Sequence, residues 1–425
     1  MKGKNCLAVL AKRAFLIFLL IFISGCTLQT EEQITENGAV LSGGESSDGL
    51  DSGFGETPPQ NGSQVVPAQN GVSGNSSETS GGADLQAQSD PAPNGVFESG
   101  SETSGGAGSQ AQSNPPEIDY QKVKPYEVGR ITVIMYHGVV DAEEAPDKYT
   151  RTVEEFKADL QTLYDEGFRL VSMRDYLDNN IKIEAGKSPV VLTFDDGLRT
   201  SFSLVKNEDG ILVPRPDCAV DLINKFAELH PDFGKTAAFF INRDPFAGDA
   251  SLAQSFAYLV ENGYEIGNHT ASHAAMDELD ALQLQAEIGE VEKIIRENAP
   301  KGYECVALTY PFGIRPKEEF HSFALSGEFE GIKYNYAAAF REGQSVSPSA
   351  PNRNGFDVLN LPRVRGSDNE ETDLGWTLRS FRDNPDLKYV SDGDPNKISV
   401  PEVYAENIDY ASVSGKEVVV YELSG

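Results

Sequence analysis

From about Tyr120 onward, short apolar runs rich in β-branched residues alternate with stretches in which apolar positions recur every three or four residues. The first pattern reads as buried strand and the second as amphipathic helix. Arg130–His137 is the first such strand. Thr152, with Glu155 three residues on, opens a capped helix whose Phe156, Leu160, Leu163 and Tyr164 share one face. Strands are then expected at Phe168–Val171, Val190–Phe194, Thr236–Ile241, Tyr264–Ile266, Cys305–Tyr310, Tyr334–Ala339 and Val358–Leu361. Helices are expected near Met173–Leu177 and over Ala219–Leu229, Leu252–Glu261 and Asp280–Glu297. Strands alternating with helices imply an α/β fold with a parallel sheet and right-handed crossovers, and this many in one stretch implies closure into a barrel.

The residues before Tyr120 carry neither pattern. Residues 1–25 read as a leader: Lys2, Lys4, Lys12 and Arg13 precede the apolar run Ala14–Phe22, which is too short for a confident membrane span. The leader ends in Ile23-Ser24-Gly25-Cys26, which resembles the lipobox of bacterial lipoproteins, so Cys26 is the expected site of lipidation and of anchoring to the outer face of the cytoplasmic membrane. Residues 26–119 are rich in Gly, Ser, Asn, Gln, Pro and Glu, and no Lys or Arg falls between Arg13 and Lys122. Such a composition cannot bury enough apolar surface to offset ordering entropy, and a disordered linker is expected. Within it, the stretch from Asn70 to Pro91 recurs from Asn94 to Pro115, a duplicated spacer. As a flexible coil it would hold a domain about 50 Å from its anchor.

Charge and cysteine usage narrow the partners. A net charge of −31 argues against nucleic acid and against an anionic membrane surface. Of four cysteines, Cys218 and Cys305 remain for the ordered part, either paired or as buried thiols.

The chain has five histidines in 425 residues, and two of them, His269 and His273, sit in one pentapeptide. Two imidazoles four residues apart plus a carboxylate form a three-ligand set that holds a divalent metal and leaves a position open for water. Asp195-Asp196 supplies the carboxylates, one as ligand and one as base. In barrels of parallel strands, chemistry sits at the carboxyl ends. His137, Asp195-Asp196, His269 and Tyr310-Pro311-Phe312-Gly313 each fall just past a predicted strand end, so one rim should collect them.

Thr193-Phe194-Asp195-Asp196-Gly197 with His269-Thr270-Ala271-Ser272-His273 resembles the first two motifs of the polysaccharide deacetylases, carbohydrate esterase family four with the NodB-type domain. The resemblance covers roughly Arg130 to Arg365. It implies an irregular (β/α) barrel of about seven parallel strands over residues 120–366, and the tail that follows, 367–425, is expected to pack on the barrel from strand-like stretches such as Glu417–Tyr421. It also implies that Asp196, His269 and His273 hold a divalent metal, with zinc expected and cobalt or nickel compatible, and that Asp195 is the general base.

Two motifs depart from the family pattern. Where members carry Arg-Pro-Pro-Tyr-Gly, this chain reads Thr309-Tyr310-Pro311-Phe312-Gly313, so the arginine that orients the aspartate is missing from position 309. Arg363, or Arg365, could supply a guanidinium from a neighbouring strand. Tyr310, Pro311 and Phe312 would still line the substrate, with the backbone N–H of Phe312 as an oxyanion donor. No histidine follows His321, yet the family's acid normally lies near the carboxyl end. Tyr136-His137 resembles the circularly permuted branch, in which the strand bearing the acid lies first, and His137 is the candidate acid.

These readings point to an exported, lipid-anchored, monomeric deacetylase acting on N-acetylated amino sugars of a cell-wall or extracellular polysaccharide. The rival readings are a non-catalytic glycan-binding wall protein on the same fold and an O-acetyl esterase of the xylan type. His230 and His321 read as surface residues, and Trp376 is not assigned. The stretch from Leu204 to Phe233 looks long for this fold.

Overall fold

The computed structural model describes residues 118–144, 148–342, 347–368, 371–413 and 415–424. The predicted leader, Cys26, the duplicated spacer and nearly all of the predicted linker lie outside the described residues.

The alternation forms a barrel of parallel strands: β1 (Thr132–Tyr136), β2 (Phe168–Leu170), β3 (Ser188–Phe194), β4 (Ala238–Ile241), β5 (Glu265–Asn268), β6 (Ala307–Thr309), β7 (Ala338–Arg341) and β8 (Leu361–Pro362 and Val364–Arg365). Hydrogen bonding runs β1–β3–β4–β5–β6–β7–β8, with β2 on the first half of the β3 edge whose second half takes β4. The two halves of β8 close the ring. Leu361 and Pro362 pair with Phe340 and Arg341 of β7, while Val364 and Arg365 pair with Ile134 and Met135 of β1. One short segment thus makes the first and last strands neighbours and leaves Arg363 between two half-strands.

Helices α1 (Val153–Asp165), α2 (Met173–Leu177), α3 (Ala219–Leu229), α4 (Leu252–Glu261), α5 (Ala281–Asn298) and α6 (Leu374–Asp383) flank the strands. The Thr152/Glu155, Ser251/Gln254 and Asp280/Gln283 pairs form reciprocal capping boxes that satisfy the first amides of α1, α4 and α5. The period of two along each strand sorts side chains into two layers. Ile134, Val190, Leu192, Phe194, Phe239 and Ile241 join the core between strands and helices, and Val133, Val191, Ala238, Phe240, Ala307 and Phe340 fill the barrel.

Two predicted strands are corrected. The run Tyr334–Ala339 is divided between Ile332–Asn335, which forms an antiparallel hairpin with Ser326–Phe329, and β7, which begins only at Ala338. Apolar content alone does not show that Tyr336 and Ala337 leave one sheet for another. Val358–Leu361 contributes only its last residue to β8, because Asp357 and the residues after it form a turn in which its carboxylate accepts from Leu359 N–H. The long stretch after the Asp-Asp motif holds a hairpin, Leu204–Lys206 with Leu212–Pro214, and then α3.

The residues after the barrel pack against it. Leu374, Leu378 and Phe381 of α6 enter the main core, and Tyr126 and Val128 share a small cluster with Ile398, Val400, Ile408 and Val413. Glu127 is buried beneath this cluster and accepts hydrogen bonds from Ser399 N–H (2.8 Å), Asp392 N–H (3.1 Å) and the Tyr389 hydroxyl (3.1 Å). Burial first, then the nearby Asp392 charge, push its carboxyl up to about 8 from 4.5. A raised folded pKa means that this carboxyl's stabilising share is complete below pH 4.5 and is lost as pH rises through 8. Thermal melts between pH 5 and 9 should therefore fall off more steeply for the native chain than for Glu127→Gln; parallel profiles would refute the linkage. Cys218 and Cys305 are both buried and unpaired.

Candidate metal and catalytic site

Strand β3 ends at Phe194, and the Asp195 N–H donates to Tyr136 O at 2.9 Å, so the turn that follows starts from the sheet itself. Asp196 and Gly197 both have positive φ, 68° and 60°. A Cβ at position 197 would lie 2.5 Å from Pro245 Cβ, so the turn admits glycine alone. Strand β5 ends at Asn268, and the loop after it is held at both ends. Asn242 Nδ2 donates to His269 O and Thr270 O at 2.8 Å each, while Ser272 donates through N–H and hydroxyl to Glu287. Asp196, Thr270, His273 and Phe312 all adopt left-handed backbone, and strain of this kind concentrates where surrounding structure over-determines a functional loop.

These loops bring Asp196, His269 and His273 together, with one donor atom from each within 4.8 Å of the others. Asp196 Oδ1 stands 3.5 Å from His269 Nε2 and 3.6 Å from His273 Nε2. Ligands bound at about 2.0–2.2 Å in a tetrahedral shell are separated by roughly 3.4 Å, so this donor set fits a divalent ion with little movement. Burial pushes the His269 imidazole down against the opposing pull of Asp195 and Asp196. That favours the neutral ring a metal requires.

Asp195 lies beside the triad, its Oδ2 3.9 Å from His269 Nε2. Arg363 donates to both carboxylate oxygens, Nη1 to Oδ1 at 2.7 Å and Nη2 to Oδ2 at 2.6 Å, and Nη1 also reaches Thr193 Oγ1 at 3.1 Å. Both residues are almost fully buried, at 1% and 2% exposure. Burial pushes the Asp195 carboxyl up, but the Arg363 guanidinium outweighs it and holds the group well below the usual carboxylate range. Position 309 therefore lacks an arginine without leaving Asp195 unsupported. Arg365 points elsewhere, to Asp373 at 2.9 Å and Glu342 at 3.6 Å.

His137 follows β1 directly. Its N–H donates to Tyr149 O, its ring lies 4.8 Å from the Tyr149 ring, and Nε2 is 3.8 Å from Asp196 Oδ2. Tyr136 acts behind the sheet, where its hydroxyl donates to buried Asp159, itself bound bidentately by Arg151. Of the predicted substrate-contacting residues, Tyr310 has its N–H committed to Phe340 O and its hydroxyl to Leu359 O, and Pro311 has no N–H to offer. Phe312 stands at the mouth, 60% exposed, with its ring 4.5 Å from that of His273.

A cavity of about 340 Å³ contains His137, Asp195, Asp196, His269, His273 and Arg363 in its walls. Its remaining walls include Tyr149, Leu198 and Glu342, which sequence reasoning missed. A larger cavity, about 960 Å³, lies at the opposite end of the strands, around residues 299–306 that lead into β6, and contains none of these groups. Sequence reasoning also missed Thr309, read only as a lost arginine, whose hydroxyl and carbonyl both contact His269 Nδ1. No periodicity or spacing marks it, because the contact is made across neighbouring strands. Trp376 lies on α6, His230 caps α3, and His321 lies in a 3-10 turn.

Residues 182–319 match the family described as "Polysaccharide deacetylase". The match contains Asp195, Asp196, His269, His273 and Thr309–Phe312, whereas His137 and Arg363 lie outside it, on β1 and β8. A chitooligosaccharide deacetylase of Rhizobium leguminosarum bv. phaseoli is 26% identical over 133 residues, 31% of this chain and 48% of the relative. The chain thus spans about half the length of that curated relative. Among solved structures, the Streptococcus pyogenes deacetylase PplD in complex with acetate aligns with a TM-score of 0.43 at 18% identity, over 59% of this chain and 97% of that one. BC0361, a polysaccharide deacetylase from Bacillus cereus, aligns with a TM-score of 0.44 at 17% identity, over 59% and 68%.

Proposed function

We propose that this chain is a metal-dependent deacetylase that hydrolyses N-acetyl groups from amino sugars of a cell-wall or extracellular polysaccharide, of the peptidoglycan, chitin-like or poly-N-acetylglucosamine kind. The observation that carries this reading is the convergence of Asp196, His269 and His273 beside a buried carboxylate, Asp195, gripped by Arg363. When bound, a divalent ion supplies Lewis acidity toward an amide carbonyl and toward water. The protein does the rest. Asp195, kept ionised by Arg363, accepts the proton from the attacking water. Arg363 orients that carboxylate through two hydrogen bonds, and His137, in the wall of the same cavity with its Nε2 3.8 Å from Asp196 Oδ2, delivers a proton to the departing nitrogen. Phe312 offers a face to the sugar at the mouth. Zinc suits a His-His-Asp set, and cobalt or nickel fits the same donors.

The position of His137 favours the circularly permuted arrangement, since β8 places β1 beside the last strands of the ring. The leader and Cys26 support export and lipid anchoring on the outer face of the cytoplasmic membrane, and the charge of −31 opposes nucleic acid as a partner. Acetate release from an N-acetylated chitooligosaccharide, measured with zinc added, tests the activity. His269→Ala should lose both metal and turnover, and unchanged turnover in this variant and in Asp195→Asn would defeat the proposal.

One observation favours the O-acetyl reading. His137 Nδ1 is buried and has no hydrogen-bond partner among the described residues, so no carboxylate behind the ring orients it as an acid. An alkoxide leaves more easily than an amide nitrogen and depends less on an acid. His137→Ala should therefore cut N-acetyl turnover by about 10²-fold or more while leaving any O-acetyl turnover within roughly tenfold. Equal losses on both substrates would remove His137 from the role of acid.

A further inference from the structure

We propose that Thr309 is a positioning residue for His269, holding its ring in the tautomer and orientation that make this histidine the preformed anchor of the metal site. The inference rests on the metal-site reading above. Thr309 is the last residue of β6, fully buried. Its Oγ1 lies 2.6 Å and its carbonyl oxygen 3.0 Å from His269 Nδ1. A carbonyl only accepts, so this contact requires the hydrogen on Nδ1, and a neutral imidazole protonated there carries its free lone pair on Nε2. Nε2 is the atom that faces Asp196 Oδ1 at 3.5 Å.

Strand register puts the clasp in place. Leu308 of β6 pairs with Asn268 of β5, so the next residue of each strand, Thr309 and His269, fall side by side. From the other side Thr309 pairs with Phe340 of β7, which keeps the short end of β6 from shifting. His273 has no comparable clasp among the described residues: it is 30% exposed and its ring rests against Phe312. The two imidazoles are therefore unequal, one held from behind by two oxygens and the other free to settle. Arg363 makes this possible by reaching Asp195 from β8, which leaves position 309 to a short side chain with a hydroxyl.

The hydroxyl is isolated by comparing Thr309→Ala with Thr309→Ser, since both lose the same methyl group and only alanine loses the oxygen. Outer partners of metal-bound histidines typically contribute 10–100-fold, so zinc affinity of Thr309→Ala should fall about tenfold while Thr309→Ser stays within about twofold of the native protein. Affinity would be read by competition with a chromophoric chelator, and site geometry by the d–d absorption of bound cobalt, on protein shown to be folded by circular dichroism. Alanine should also shift the cobalt spectrum, and serine should restore it. An alanine variant with native zinc affinity and an unchanged spectrum would overturn the role, as would a serine variant as weak as alanine. Should Thr309→Ala not fold, Thr309→Val keeps the β-branched shape without the hydroxyl, and native-like zinc binding by it would overturn the role equally. A native protein that binds neither zinc nor cobalt would bring down the metal-site reading along with this one; native binding left untouched by alanine would bring down this one alone.

Discussion

Under the proposed function, Asp195→Asn should lower acetate release by about 10²–10⁴-fold, the usual contribution of a positioned general base, while zinc binding is retained. Asparagine is nearly isosteric with aspartate and cannot take a proton from water, so the substitution removes the base and leaves the cavity's shape. Asp196, His269 and His273 are untouched, which is why metal content should not follow activity downward. Arg363 would keep one acceptor of the two it has now, since the amide presents a single oxygen. The check is a paired measurement of turnover and bound zinc on the same preparation. A variant that lost zinc in proportion to activity would make Asp195 a ligand and would reverse its role with that of Asp196.

Arg363→Met should destabilise the fold by about 3–5 kcal/mol, because it strands the Asp195 carboxylate in a buried position without its partner. The pair is bidentate, with N···O distances of 2.7 Å and 2.6 Å, and both side chains are nearly inaccessible to solvent. The charge of Arg363 is also what holds the Asp195 carboxyl low, so the variant should protonate it more readily and lose activity. Combining Arg363→Met with Asp195→Asn removes both charges, and the double variant should recover part of the stability lost by Arg363→Met alone. Urea unfolding of the native protein and the three variants measures this coupling. Strictly additive losses would mean that the contact contributes nothing to stability, however short it is.

The two experiments separate what Asp195 does from what Arg363 does for it. The first reads chemistry at constant metal, and the second reads the stability of a buried ion pair that also sets the protonation of the base. Together with the unequal imidazoles they describe a site in which most groups are fixed before substrate arrives. Phe312, with its exposed ring, and His273, at 30% exposure, remain adjustable at the mouth.

Much of this was legible along the chain. The alternation of apolar runs with helical periodicity, the Asp-Asp pair after Phe194 and the two histidines four residues apart are local patterns, and local spacing dictates local geometry. The helix starts at Thr152, Ser251 and Asp280 carry their caps within four residues. Arg363 could be nominated because position 309 had no arginine and a cation was available on a nearby predicted strand. Tyr149, Glu342 and the clasp by Thr309 could not, because each is brought to the site by a different element and nothing in its own neighbourhood distinguishes it. The run Tyr334–Ala339 misled for the same reason: its composition is that of one strand, and only the partners available on either side divide it between a hairpin and the barrel.

By itself, then, the order of residues determined the α/β class, the rim on which the chemistry gathers and the presence there of two carboxylates and two imidazoles four residues apart, since these follow from local periods and spacings, while the choice of Asp196 over Asp195 as ligand came from the family resemblance. Tertiary structure alone decided how the ring closes, through β8 bonding to β7 by one half and to β1 by the other. That closure sets His137 and Arg363, 226 positions apart in the chain, on adjoining strands of one cavity. Register between distant strands arises from the packing of the whole core, and no segment carries enough of that core to specify it alone.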